Sequence, residues 1–302
     1  MGSSWAGLFA AAGLEVRLYD VDEARLAEAR QGAATAARFL AMNGLAQASL
    51  VEAGLSKMLA TADLEETLAS VTLVQECVRE DLALKREVVA AIDTAAPREA
   101  LICTSSSYLS ISAIQTAAQR PQRCLAAHPY NPPHLVPLVE LAPGELTAPE
   151  AMQRARRFYV AVGKEPVMLA YDLPGYIANR LSAALWREAV DLVLRGVASV
   201  GDVDRAICFG PGLRWAAMGP HLLYDLGGGP DGIRGHLKHL GSAKEEVLRD
   251  LATWTDFPFA TSEALLDGLE IEKGGRSYEA LLAQRDELLV AYLLARGPSH
   301  RP

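Results

Sequence analysis

Short apolar runs alternate with helix-patterned stretches as far as Leu169, and that alternation restricts the fold more than any other feature of the chain. Glu15 to Tyr19, Val71 to Cys77, Leu101 to Thr104, Cys124 to Ala127, Val136 to Leu141 and Glu165 to Leu169 read as strands. Helical patterns fill the intervals. They comprise an opening stretch through Trp5, Leu8 and Phe9 that stops at Gly13, an alanine-rich segment from Asp22 to about Lys57 broken at Asn43-Gly44, Asp81 to about Ala95, and Ala148 to Val162. Strands and helices in this rhythm build a parallel sheet with helices against it. The rhythm ends at Asp172-Leu173-Pro174-Gly175, after which helical patterns dominate: Tyr176 to Leu194, Val200 to Ile207 and Tyr278 to Leu294. The expected architecture is an α/β domain over residues 1–173 and an all-α domain over 174–302, with a small-molecule cleft between them.

Composition narrows the function classes. At 302 residues, 50% of them hydrophobic, the chain can bury one large core or two moderate ones. A net charge of -8 without a basic stripe argues against a nucleic-acid partner. No apolar run is long enough to span a bilayer and no signal-peptide order opens the chain, which points to the cytoplasm. Cys77, Cys103, Cys124 and Cys208 stand singly in apolar runs, as expected of buried reduced thiols rather than disulfides, a metal site or a nucleophile.

The chemistry concentrates between Ser105 and Glu140. His128 ends the run Cys124 to Ala127 and is followed by Pro129, Pro132 and Pro133, so rigid backbone holds it at a strand's end, where open α/β sheets face a crevice. The run Val136 to Leu141 brings Glu140 back. If the two runs pair, the carboxylate fixes the imidazole tautomer and supports the imidazolium formed on proton uptake. A core histidine beside a strand-edge charge would give the same sequence. Ser105, Ser106 and Ser107 follow the strand Leu101 to Thr104 at the ligand-binding edge, and they equally suit a helix N-cap near Ser110. Asn179 and Arg180 begin the helix after the breaker, where asparagine also serves as a cap. A helix followed by a strand that ends in Asp20 is the latter part of a dinucleotide-binding unit; the acid bonds the ribose hydroxyls of NAD and disfavours NADP. Of a GxGxxG only the last glycine is present, as Gly2. Arg214 beside Trp215, read as a glycine-rich turn, offers a fork for a free carboxylate; an interdomain ion pair would also account for it.

SSSYL, AHPYNPP, PLVEL and PGYIANR, in that order, together with LYDVD, QECVREDLALK and GPGLRWAAMGP, resemble the L-3-hydroxyacyl-CoA dehydrogenase family, and within it the lambda-crystallin-like branch that includes the L-gulonate 3-dehydrogenases. The resemblance runs nearly the length of the chain. It implies a Rossmann-like N-terminal domain, a helical C-terminal domain that mediates a homodimer, and NAD as cofactor. It makes His128 the general base, Glu140 its carboxylate partner, and Ser107 and Asn179 the residues that hold the substrate oxygen. It sets Asp20 at the adenosine ribose, Glu80 and Lys85 beside the cofactor, and Asn131 near the nicotinamide. The family opens with a strand and a full glycine motif, whereas Met1-Gly2-Ser3-Ser4-Trp5 looks like the tail of one. A first strand and its turn, on the order of 15 residues, are therefore expected upstream, with weak NAD binding in their absence.

Two classes of function follow. An NAD-dependent dehydrogenase would oxidise a short 3-hydroxyacyl-CoA or a free 3-hydroxy acid such as gulonate or carnitine, with the imidazole taking the hydroxyl proton. A non-catalytic protein of the crystallin kind would need the fold alone.

Overall fold

Small residues decide how the opening helix packs. In this computed structural model, which describes residues 1–297, α1 (Gly2–Ala11) is buried from Trp5 to Ala11. It lies against α2 (Glu23–Met42) and α3 (Ala48–Ser56). A Cβ on Gly7 would stand 2.7 Å from the Ala33 carbonyl oxygen and one on Gly54 2.0 Å from that of Ala10, so glycine is what lets these helices touch. Gly13, with φ of 78°, turns the chain into β1 (Arg17–Tyr19), and the Asp22 carboxylate caps α2 by accepting from the Ala24 and Arg25 amides.

The chain continues through β2 (Leu59–Thr61), α4 (Leu64–Leu68), β3 (Leu73–Glu76), α5 (Leu82–Ala95), β4 (Leu101–Thr104), α6 (Ile111–Gln115), β5 (Cys124–Pro129), β6 (Leu138–Pro143), α7 (Pro149–Ala161) and β7 (Glu165–Met168). Asp81 caps α5 and Ser110 caps α6. A five-stranded sheet runs in the order β3-β4-β5-β6-β7, parallel throughout except where β5 meets β6. That antiparallel step departs from the all-parallel sheet expected from the strand–helix rhythm, because only an eight-residue connection joins β5 to β6 and leaves no room for a crossover helix. Strands β1 and β2 pair with each other in a separate parallel sheet, and the expected first strand has no counterpart among the described residues. Alternate residues of the central strands feed two cores: Leu101, Cys103, Leu125 and Ala127 pack with α1 and α7, while Ile102, Cys124 and Ala126 pack with α5 and α6.

Helices alone follow: α8 (Ala178–Leu194), α9 (Val200–Phe209), α10 (Pro211–Ala217), α11 (Pro220–Gly227), α12 (Gly232–Asp250), α13 (Thr261–Lys273) and α14 (Tyr278–Arg296). Among the described residues, the first compact unit holds Met1–Arg180 together with 286–297, and the second holds Leu181–Arg285. The segment 174–297, expected to belong to one helical body, is thus divided between the two units. The cause is apolar: Val290 is buried in the core of the first unit, with Leu289 and Leu293 against it. Within the second unit α13 packs on α9 and α11 on α12. Cys208 there is exposed instead of buried. No described helix is long and apolar enough to cross a membrane.

Candidate active site

The antiparallel pairing of β5 with β6 sets His128 directly opposite Glu140. Their side chains meet, His128 Nδ1 standing 2.9 Å from Glu140 Oε2, and the two residues are only 4% and 1% exposed. The other carboxylate oxygen, Oε1, accepts the Ile177 and Ala178 amides at 2.8 and 2.9 Å. Those amides belong to the start of α8, the positive end of a helix. The breaker aims them there: Gly175 and Tyr176 both take positive φ, 75° and 48°, so α8 begins at Ala178 instead of Tyr176. Glu140 is thus surrounded by donors, which makes Nδ1 the protonated ring nitrogen and leaves the lone pair on Nε2. Nε2 has no hydrogen bond among the described residues and is not one of their sealed polar atoms.

Of the three serines, two are consumed by the fold. Ser105 Oγ receives Gln75 Nε2 at 2.8 Å, and Ser106 Oγ donates to Glu80 Oε1 at 2.6 Å. Ser107 gives only its amide to Glu80, at 3.0 Å, and its hydroxyl has no partner among the described residues. Glu80 also accepts the Tyr108 and Leu109 amides and so shapes the whole loop. Burial disfavours its charge, yet the Ser106 hydroxyl, those amides and Lys85 outweigh burial and hold the carboxyl below its ordinary range. Asn179 is half-buried on the first turn of α8 and its amide group is likewise unengaged. The structure therefore joins His128 to Glu140 directly, while Ser107 and Asn179 each end in a free polar group with no bond to the pair.

Lys85, expected beside the cofactor, is a buried cation. It is 1% exposed, and its ammonium bonds both oxygens of buried Glu76 at 3.0 Å and the Val78 carbonyl at 3.0 Å, with Glu80 Oε2 at 3.6 Å. It supports Glu80 from beneath and has no surface left for a ligand. Arg214 is exposed on α10 of the second unit, on a helix and not in the turn expected from its glycines, and makes no side-chain hydrogen bond or ion pair among the described residues.

The cofactor candidates lie at the start of the fold. The first turn of α1 carries no acidic residue and no side-chain cap; the Ser4 and Trp5 amides bond the Met1 carbonyl, which leaves those of Gly2 and Ser3 for an anion, and a Cβ on Gly2 would meet only Cys77, at 3.7 Å. Asp20 follows β1; one of its oxygens takes the Asp22 amide at 3.1 Å and the other is free. These features fit the diphosphate and ribose of a dinucleotide. Asn131 is exposed on the loop from β5 to β6.

That loop is fastened to α1. The Lys164 ammonium donates to the Pro133 and Val136 carbonyls at 2.8 and 2.6 Å and lies 4.9 Å from the Trp5 ring centre, while His134 bonds Ser4 through its amide and Nδ1. Burial pushes Lys164 down to about 7 from 10.5. The folded chain then releases this proton above about pH 7 while the unfolded chain keeps it to about 10.5, so stability rises with pH across that window. In Lys164→Met the slope of unfolding free energy against pH should drop by up to about 1.4 kcal/mol per unit, as read by urea denaturation. An unchanged slope would mean that the ammonium stays charged in the fold.

A family profile described as "3-hydroxyacyl-CoA dehydrogenase, NAD binding domain" matches residues 1–172, and one described as "3-hydroxyacyl-CoA dehydrogenase, C-terminal domain" matches 175–267. The chain belongs to the 3-hydroxyacyl-CoA dehydrogenase family. Its cofactor is NAD. It is similar to an L-carnitine dehydrogenase of Streptomyces griseus subsp. griseus, 38% identical over 297 residues that cover 98% of this chain and 87% of that one. An L-carnitine dehydrogenase of Pseudomonas aeruginosa is 39% identical over 298 residues, covering 97% and 90%. Among solved structures, the NAD+-dependent dismutase 5-formyl-3-hydroxy-2-methylpyridine 4-carboxylic acid 5-dehydrogenase superposes with a TM-score of 0.84 at 30% identity, covering 100% of this chain and 96% of that one. FadB2 of M. tuberculosis follows with 0.66 at 32% identity, covering 75% and 78%. These relatives support the family and its two-part fold; none is named for the lambda-crystallin branch that the motifs suggest.

The residue that motif reading passes over in this family member is Tyr176. Its ring is 1% exposed and packs on the His128 imidazole, centroids 5.1 Å apart. An aromatic residue directly after the breaker glycine was the available signal.

Proposed function

We propose that this dehydrogenase oxidises the hydroxyl of a free 3-hydroxy acid, with L-carnitine the first candidate. A buried imidazole with Nδ1 committed to Glu140 and Nε2 left unbonded carries the proposal. NAD, when bound, takes up the hydride that leaves the carbinol carbon. The hydroxyl proton passes to Nε2 of His128, and Glu140 steadies the ring and the positive charge it acquires. Ser107 and Asn179 bond the substrate oxygen as carbonyl character develops, an effect worth about 2.7–4 kcal/mol for one good donor in comparable sites. Gly2, Asp20, Glu80 and Asn131 serve the cofactor, and Lys85 acts through Glu80.

Three observations favour a free acid. Relatives 38% and 39% identical to this chain are named for L-carnitine, a 3-hydroxy acid without a thioester. From Asn43 to Glu66 the chain carries one base, Lys57, which is little provision for the phosphates of coenzyme A. Arg214 is exposed and has no ion-pair partner among the described residues, as a carboxylate clamp requires. A short 3-hydroxyacyl-CoA is the second reading, favoured by the family profiles themselves. NADH formation with L-carnitine, L-gulonate, 3-hydroxybutyrate and 3-hydroxybutyryl-CoA tests both; turnover of a free acid is expected. Silence from all four with NAD bound would favour the non-catalytic, crystallin-like alternative. Arg214→Met should raise KM for the free acid about tenfold, the loss of one charged hydrogen bond, and an unchanged KM would remove the clamp. We also place a homodimer interface on the second unit, where Phe209, Phe259 and Ile271 are 79%, 100% and 83% exposed.

A further inference from the structure

Tyr176 carries a hydroxyl for which the fold has no use. That oxygen is sealed from solvent and has no hydrogen-bond partner among the described residues. Phenylalanine would fill the same space without leaving a buried donor unpaired, a defect that destabilises by about 1–3 kcal/mol. The backbone beneath it is strained as well, at φ of 48° in a residue other than glycine, a conformation that persists where the surroundings over-determine it. The surroundings here are catalytic in character. The next two amides hold Glu140, and the ring itself lies on His128 with planes inclined by 32°.

Three acids lie within electrostatic reach of the phenol, and each is already occupied. Asp172 receives the Ser110 hydroxyl and the Ser112 amide, Glu80 holds the serine loop, and Glu140 holds His128. Burial first, and then these negative charges, keep the phenol protonated far above neutrality. The group is therefore a permanent donor that no acceptor among the described residues engages. The phenol ring lies directly on the His128 imidazole, with centroids 5.1 Å apart.

We propose that Tyr176 is a substrate-binding residue, its hydroxyl donating to an oxygen of the substrate beside the carbon that reacts. The missing partner is then supplied by the ligand, and the strained backbone keeps the phenol where that oxygen arrives. This rests on the dehydrogenase reading above but on no particular substrate. It adds a third donor to Ser107 and Asn179.

Tyr176→Phe in the full chain removes the hydroxyl and nothing else. Three quantities are read: kcat/KM for whichever hydroxy acid the wild type oxidises, the rise in Tm that the same acid produces without NAD, and the Tm of the free protein. The expected result is a loss of about tenfold in kcat/KM, a smaller substrate-induced rise in Tm, and a free-protein Tm equal to or above that of the wild type. Wild-type kcat/KM in the variant, with the same ligand-induced rise, would overturn the assignment. A fall in free-protein Tm without a kinetic change would also overturn it, since the hydroxyl would then be a structural group. Failure of the wild type to oxidise any hydroxy acid is a different outcome and refutes the dehydrogenase reading together with this one.

Discussion

His128→Gln should lower kcat by about 10²- to 10⁴-fold, the range that a positioned general acid–base supplies, with NAD affinity and thermal stability near those of the wild type. Glutamine is chosen because its amide can still donate to Glu140 Oε2, the bond that His128 Nδ1 makes at 2.9 Å, so the buried carboxylate keeps its partner. What disappears is the acceptor lone pair on Nε2. Because hydroxide can take over part of the proton removal, the deficit should shrink as pH rises. The measurement is steady-state NADH formation against pH for both proteins. A variant that retains a tenth or more of wild-type kcat throughout would show that the proton leaves by another route.

Lys85→Met should destabilise the first unit by about 3–5 kcal/mol, the usual result of removing one member of a buried ion pair. Glu76 would then hold an uncompensated charge at 3% exposure, with only the Val78 amide and the Thr104 hydroxyl still bonded to it. Replacing both partners, as Lys85→Met with Glu76→Gln, should recover much of the loss, because a neutral amide tolerates the same pocket. Urea denaturation of the three proteins measures this. If the double variant is no more stable than the single one, the ammonium matters through its bond to the Val78 carbonyl and its reach to Glu80, not through Glu76.

The pairing of His128 with Glu140 was readable from two apolar runs because strand periodicity, once the runs pair, fixes which residues stand opposite. His128 and Glu140 are register partners, and no other acid occupies the second run. The serine run was ambiguous, since a loop residue and a helix cap share a composition; only the bonds of Ser105 and Ser106 leave Ser107 as the free hydroxyl. Lys85 could not be told from a surface lysine, because burial of a charge depends on a distant partner such as Glu76, nine positions away on another element. Tyr176 was read as helix because its positive φ follows from the contacts that hold it, which local propensity does not encode. Helices α10 to α13 passed unread for a different reason. Their glycines and exposed apolar side chains blur the helical period, as in α12, which carries three glycines and buries only Gly235 and His236. The return of α14 to the first unit is a tertiary fact that no window of sequence contains.

Nitrogen-15 NMR of the His128 ring tests the central claim most directly, because everything proposed for the site depends on which nitrogen carries the proton when the imidazole is neutral. The account predicts a protonated Nδ1 bonded to Glu140 and a bare Nε2 whose signal moves when a hydroxy acid and NAD are added. A neutral ring protonated at Nε2, or one indifferent to both ligands, would contradict it.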